Sequence, residues 1–176
     1  MIRVYAYGSN LCVERLRART PSAYVAAVGT VAGHALRWNK RCPDGSGKCN
    51  AFATGIETDV IWGVVYELSA PDKVVLDRFE GLGHDYFEQT VEVRTRDGDV
   101  MAAIAYVANP ALLDDGLRPF RWYKDFVTTG ARQHGLPVAY RALLEAAEAQ
   151  DDCNAERHAR ETAVLEAALR TLREVE

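Results

Sequence analysis

The chain has no basic excess. Its 21 Lys and Arg face 25 Asp and Glu, a formal net charge of −4. A nucleic-acid partner is therefore not expected, because the electrostatic footprint is missing. No apolar run approaches membrane-spanning length, so no membrane partner is expected either. Cysteine is sparse: Cys12, Cys42, Cys49 and Cys153 form no CxxC pair and no Cys/His cluster with zinc-finger spacing. That argues against a metal site and leaves free thiols, the usual state in a reducing compartment. There is no internal repeat and no low-complexity tract. A strand pattern begins at once at Met1-Ile2-Arg3-Val4 with no signal segment, so a cytoplasmic setting is expected. What remains is a chain of 176 residues, long enough to bury one sizeable core.

The most informative stretch is Tyr7-Gly8-Ser9-Asn10, which follows directly on Ile2-Arg3-Val4-Tyr5-Ala6. It reads as a buried strand that stops in a small-residue turn and leads into Leu11-Cys12-Val13-Glu14-Arg15-Leu16, with helical spacing. A glycine there lets backbone approach a ligand closely. Free N–H groups where a helix begins favour negative charge. The turn is thus a candidate anion or oxyanion cradle; the plainer reading is a strand-to-helix turn capped by Ser9 or Asn10.

Strand patterns follow at 25–31, 34–38, 51–56, 61–68, 86–94 and 100–107, with 61–68 near-continuously apolar and hence central. Core candidates on 86–94 are Phe87, Thr90 or Val91, and Val93. Asp97-Gly98 signals a hairpin. Helices are expected at 11–18 with an Arg-rich outer face, at 73–80 after a cap near Ser69, from Trp122 to Gly135, at 138–148 with Tyr140, Leu143, Leu144 and Ala147 on one side, and at 155–174. The last has Ala163, Leu165, Leu169 and Leu172 as its apolar stripe. Strands dominate the first two-thirds and helices the last third, an α+β pattern.

Residues 39–50 read as a loop rich in Asp, Gly, Ser and Pro. A Walker A motif fails at Cys42 and Cys49, which rules out that triphosphate cradle. Lys40, Arg41 and Lys48 face either solvent or an acidic ligand. Glu80 ends an apolar helical stretch directly before Gly81. Most carboxylates are solvated surface groups, but one in a part-buried cleft can exchange protons near neutral pH. Position alone does not choose Glu80 over Glu67 or Glu88.

The order of motifs resembles the γ-glutamylcyclotransferase-like family. The resemblance rests on Tyr5-Ala6-Tyr7-Gly8-Ser9-Asn10-Leu11, Ile61-Trp62-Gly63-Val64-Val65-Tyr66, Leu76-Asp77-Arg78-Phe79-Glu80-Gly81 with Tyr86, and Trp122-Tyr123-Lys124 with Gly135-Leu136-Pro137 and Tyr140. The 40–51 loop is similar to bacterial-type members. The match spans residues 2–150. It implies one family domain over 1–150, a small β-barrel with flanking helices, and an extra helix over 151–176 that packs or dimerises.

The resemblance also implies an intramolecular reaction without metal or cofactor. The α-amino nitrogen of a γ-glutamyl amine or amino acid attacks its own γ-carbonyl, giving 5-oxoproline and a free amine. Glu80 is implied as general acid and base. Val4, Tyr5, Ala6, Tyr7, Gly8, Ser9, Asn10 and Tyr123 are implied to bind substrate, with backbone N–H groups near Gly8 and Ser9 facing the oxyanion. Val4 stands where relatives can carry tyrosine, and Tyr-Gly-Ser-Asn departs from the Tyr-Gly-Ser-Leu of the glutathione-degrading branch, so glutathione is the poorer candidate. Two other readings stay open: a non-catalytic binding module for a γ-glutamyl metabolite, and an acyl transferase using Ser9 or Cys12. The second lacks a nucleophile elbow. A homodimer is also compatible.

Overall fold

The computed structural model describes residues 1–175, so the last residue of the expected 151–176 extension lies outside the described residues. In chain order the elements are β1 (Ile2–Ala6), α1 (Val13–Arg19), β2 (Tyr24–Ala32), β3 (His34–Arg41), β4 (Gly47–Ala53), β5 (Val60–Leu68), α2 (Ala70–Glu80), β6 (Tyr86–Thr95), β7 (Val100–Ala108), α3 (Arg121–Gln133), α4 (Val138–Ala146) and α5 (Ala155–Val175). Five strands close a barrel in the order β1-β5-β2-β6-β7, while β3 and β4 form a separate two-stranded sheet. The class is α+β, with a small barrel.

β5 is central, as its apolar run predicts: it pairs antiparallel with β1 from Ile2↔Leu68 to Ala6↔Val64, and with β2 on its other side. The barrel closes through the short parallel pairing of β1 with β7 at Val4↔Ile104 and Tyr5↔Ala105. The Asp97-Gly98 turn joins β6 to β7, with Gly98 at φ 93°. Closure leaves no free sheet edge among these five strands, and it packs Val64, Val65, Ile61 and Val93 inside with almost no exposure. Burying such side chains contributes roughly 1.5–3 kcal/mol each before the ordering cost is met.

Several sequence expectations change here. Residues 39–50 are mostly strand: only the segment between Arg41 and Gly47 is a turn. The hairpin is hard to see in the sequence because its inward side chains are polar. Asn50 Nδ2 donates to Asn39 Oδ1 at 3.3 Å, Asn39 Nδ2 donates to Asp115 at 2.7 Å, and Lys40 Nζ meets Asp85 at 2.5 Å. Buried but partnered polar groups erase the apolar alternation. On β6, Tyr86, Val91 and Val93 face inward, whereas Phe87 is exposed. On α4, Leu144 is buried but Leu143 is exposed. The α5 stripe runs through Leu165 and Ala168, with Ala163 outside it. That stripe packs against α3 and α1 of the same chain.

Candidate active site

β1 carries the chain to the rim of the barrel, and the tetrad then tightens into a single 3-10 turn, Ser9–Leu11. Leu11 N–H donates to Gly8 O at 2.9 Å and Cys12 N–H to Ser9 O at 3.2 Å. In such a turn the first amides have no partner within the helix, so those of Ser9 and Asn10 are left over. The turn is not capped by Ser9 or Asn10; neither it nor the following α1 has a cap from its own N-cap side chain, and the first amide of α1, Val13 N–H, donates instead to Gln133 Oε1 at 3.1 Å. The Ser9 and Asn10 side chains are both engaged elsewhere.

Close packing fixes the turn. A Cβ added at Gly130 of α3 would stand 2.3 Å from Leu11 C and 2.4 Å from Cys12 N, so only glycine lets α3 support the turn this closely. On the other side, a Cβ on Gly8 would lie 3.0 Å from Cys49 Cβ and 3.4 Å from the Tyr123 hydroxyl. Leu11 O accepts from the Tyr66 hydroxyl and from His134 Nε2, each at 3.0 Å.

Glu80 arrives from α2. Ser69 caps that helix, its Oγ accepting from Asp72 N–H at 3.3 Å, and Gly81 ends it in the left-handed region at φ 61°. Glu80 is thus the last helical side chain, largely buried against the turn. Its Oε1 accepts from Asn10 Nδ2 at 2.7 Å and lies 3.8 Å from Arg19 Nη1; Arg19 Nη1 also donates to Asn10 Oδ1 at 3.1 Å. The Arg19 guanidinium lies 4.9 Å from the centre of the Phe79 ring.

All nine residues singled out from the sequence line one cavity of about 40 Å³: Val4, Tyr5, Ala6, Tyr7, Gly8, Ser9 and Asn10 on one wall, Glu80 and Tyr123 on the others. Cys49, Tyr86 and Tyr106 join them. A second cavity of about 160 Å³ adjoins it, sharing Ser9, Glu80, Tyr86 and Tyr123, with Arg15, Arg19, Lys40 and Lys48 among its lining residues. Lys40 and Lys48 therefore face this mouth. Arg41 does not: it is exposed and pairs with Asp114 at 3.1 Å.

The tyrosine hydroxyls divide into two groups. Tyr5 donates to Ile61 O at 2.7 Å, and Tyr7 donates to the carbonyl of Tyr106; both hydroxyls are engaged within the barrel wall. The Tyr123 oxygen accepts from Cys49 N–H at 3.1 Å, and its hydroxyl also lies against the Cys49 thiol. No hydrogen bond joins Tyr123 to Glu80 among the described residues.

Nucleophilic alternatives find little support. Ser9 Oγ accepts from Arg15 Nε at 3.2 Å, and that cation cannot take the hydroxyl proton as a base would. Burial pushes the Cys12 thiol up to about 12 and the Cys49 thiol up to about 12, so neither is a ready thiolate. Among the described residues no three His, Cys, Asp or Glu cluster as a metal site, and no helix is long and apolar enough to cross a membrane.

The sequence reading missed Arg15, Arg19 and Gly130. The expected 11–18 helix carries Arg15 on an outer face, yet Arg15 is only 9% exposed, and Arg19 lies beyond that expected helix. Their spacing of four residues, which puts both on one side of a helix, was the available signal. Nothing local marks Gly130, because the clash it avoids lies more than a hundred residues away in sequence.

Comparison with known proteins agrees with this architecture. The AIG2-like family profile matches residues 60–144. The human protein called gamma-glutamylcyclotransferase is 30% identical over 155 residues, covering 84% of this chain and 79% of the human one; the bovine protein of that name is 30% identical over 154 residues with the same coverage. A solved structure described as gamma-glutamyl cyclotransferase superposes with a TM-score of 0.80 at 26% identity, covering 92% of this chain and 98% of that one. YkqA from Bacillus subtilis shares the fold at 16% identity and a TM-score of 0.70, covering 85% of this chain and 56% of its own. The chain belongs to the γ-glutamylcyclotransferase family of enzymes.

Proposed function

We propose that the protein converts a γ-glutamyl amine or amino acid into 5-oxoproline and a free amine. The observation that carries this is the placement of a single anchored carboxylate, Glu80, on the same cavity as the free amides of the Ser9–Asn10 turn. Cyclisation needs the substrate held folded, with its α-nitrogen against its γ-carbonyl; nucleophile and electrophile already share one molecule, so orientation supplies much of the rate. Glu80 takes a proton from the α-ammonium, and the freed amine attacks the γ-carbon. Charge develops on the carbonyl oxygen, which the amides of the Gly8–Asn10 turn and the Tyr123 hydroxyl are placed to receive. Glu80 then returns its proton to the departing nitrogen, acting as base and afterwards as acid. Two protons leave the α-nitrogen and two reach the leaving nitrogen, so charge and atoms balance without water or a covalent enzyme intermediate.

Asn10 and Arg19 hold Glu80 with one oxygen engaged, which leaves the other for proton transfer. A substrate-sized client, an absence of cofactor and a cytoplasmic setting for the four free thiols go with this reading. The test is a panel of γ-glutamyl compounds assayed for 5-oxoproline at high enzyme concentration. Release from at least one is expected, and silence across the panel would count against the assignment.

A further inference from the structure

Arg15 joins three parts of the molecule that are distant in sequence. Its Nε donates to Ser9 Oγ at 3.2 Å, and its Nη1 meets Glu161 Oε2 of α5 at 2.5 Å. Its guanidinium lies over the ring of Phe126 on α3, 4.3 Å from the centroid. The Arg15 and Glu161 side chains are 11% and 16% exposed. Arg15 thus grips the first residue of the 3-10 turn, and Glu161 supplies the carboxylate partner of this buried cation. A buried charge that loses its partner costs several times more than an exposed pair contributes.

We propose that Glu161 is a positioning residue for the reaction: through Arg15 it holds Ser9, so the C-terminal helix sets the geometry of the Gly8–Asn10 turn. This rests on the reaction proposed above, and it gives α5 a task beyond covering α1 and α3. The same pair explains why Arg15 lies inward on a helix whose neighbour Arg17 has a different role, its Nε donating to Ala23 O at 3.1 Å. Arg15 secures the turn and Arg19, one helical turn on, secures Glu80. α1 therefore braces both halves of the site from one face.

The experiment compares Glu161→Gln, Glu161→Asp and Leu169→Ala with wild type in the full chain. Leu169 packs on the core from the same helix, eight residues beyond Glu161. Two readouts are taken: amide hydrogen exchange of the 7–12 segment, and kcat and KM for the compound of the γ-glutamyl panel that turns over fastest. For Glu161→Gln, exchange in 7–12 is expected to rise about tenfold, the factor carried by one charge-assisted hydrogen bond, while β5 and β6 keep wild-type rates. Its kcat falls at least about tenfold with KM nearly unchanged, because the turn acts on the transition state. Glu161→Asp recovers part of both, and Leu169→Ala lowers the melting temperature but moves neither. Exchange and kcat in Glu161→Gln that match Leu169→Ala overturn the proposal. If wild type forms no 5-oxoproline from any compound of the γ-glutamyl panel yet exchange in 7–12 responds to Glu161→Gln, the brace stands and the assigned reaction falls.

Discussion

The barrel and the turn at its rim are held by different forces. Inside the barrel, aliphatic side chains such as Val64, Val65 and Val93 pack without exposure, and the Tyr5 and Tyr7 hydroxyls donate to backbone carbonyls of neighbouring strands. At the rim, by contrast, Arg19, Asn10 and Glu80 hold one another, Arg15 holds Ser9, and the backbone packs to within glycine distance of α3. Apolar packing is non-directional and tolerant of small shifts, since it scales with area. Charge-assisted hydrogen bonds depend on position and direction. The difference suggests a division of labour: the barrel supplies rigidity, and the rim sets the positions of donors and of one carboxylate.

That contrast can be broken most sharply at Glu80. Glu80→Gln keeps shape and the Asn10 contact but cannot cycle a proton; 5-oxoproline formation should fall by about 10²–10⁴, with an unchanged circular dichroism melt. Wild-type turnover in that variant would remove Glu80 from the mechanism. Next comes Gly130→Ala, whose Cβ must displace Leu11 or Cys12. Overpacking of this kind costs roughly 1–3 kcal/mol, and activity should drop further than stability explains, because the displaced Leu11 and Cys12 backbone closes the turn that carries the cradle amides.

Tyr123→Phe is expected to have a smaller effect. It leaves Cys49 N–H without its acceptor, worth roughly 1–3 kcal/mol of stability, and removes a donor from the cavity, so kcat should fall more than KM rises. Val93→Ala tests the opposite side of the comparison. It empties space in the barrel and should lower stability by roughly 2–3 kcal/mol while kcat below the melting point stays at the wild-type value. A large loss of kcat would mean that barrel and rim are not separable.

The smallest effect concerns pH. Burial lowers the His134 imidazole below its ordinary 6.5, with the contact to Leu11 O acting the other way. The unfolded chain then binds a proton more readily than the folded one. His134 neutrality therefore contributes fully above the unfolded value, and stability declines as pH falls through 6.5 until the folded value is passed. Urea midpoints between about pH 7.5 and 5 should show this slope, and His134→Gln should flatten it.

Much of the layout is legible along the chain. The apolar run of β5, the Asp97-Gly98 turn and the Ser69 cap each express a local rule, and each appears where that rule puts it. The wall residues from Val4 to Asn10 are contiguous, so naming one names the rest. The inner part of the β3–β4 hairpin, residues 39–41 and 47–50, was hidden because its buried side chains are polar and satisfied across the hairpin and by Asp115. Leu143 and Phe87 were misplaced because periodicity marks an apolar face without saying whether anything covers it.

By itself, then, the sequence determined the strand-and-helix order, the strand-to-turn tetrad and a carboxylate at a helix end before glycine, since these follow from side-chain period and backbone freedom within a few residues. Only the tertiary structure decided that Glu80 meets Asn10, that Arg15 and Arg19 turn inward, that Gly130 supports the turn and that α5 reaches Arg15 through Glu161. Those are contacts between segments tens to more than a hundred residues apart. Their partners are chosen by how the closed barrel and its helices pack, which no local pattern encodes.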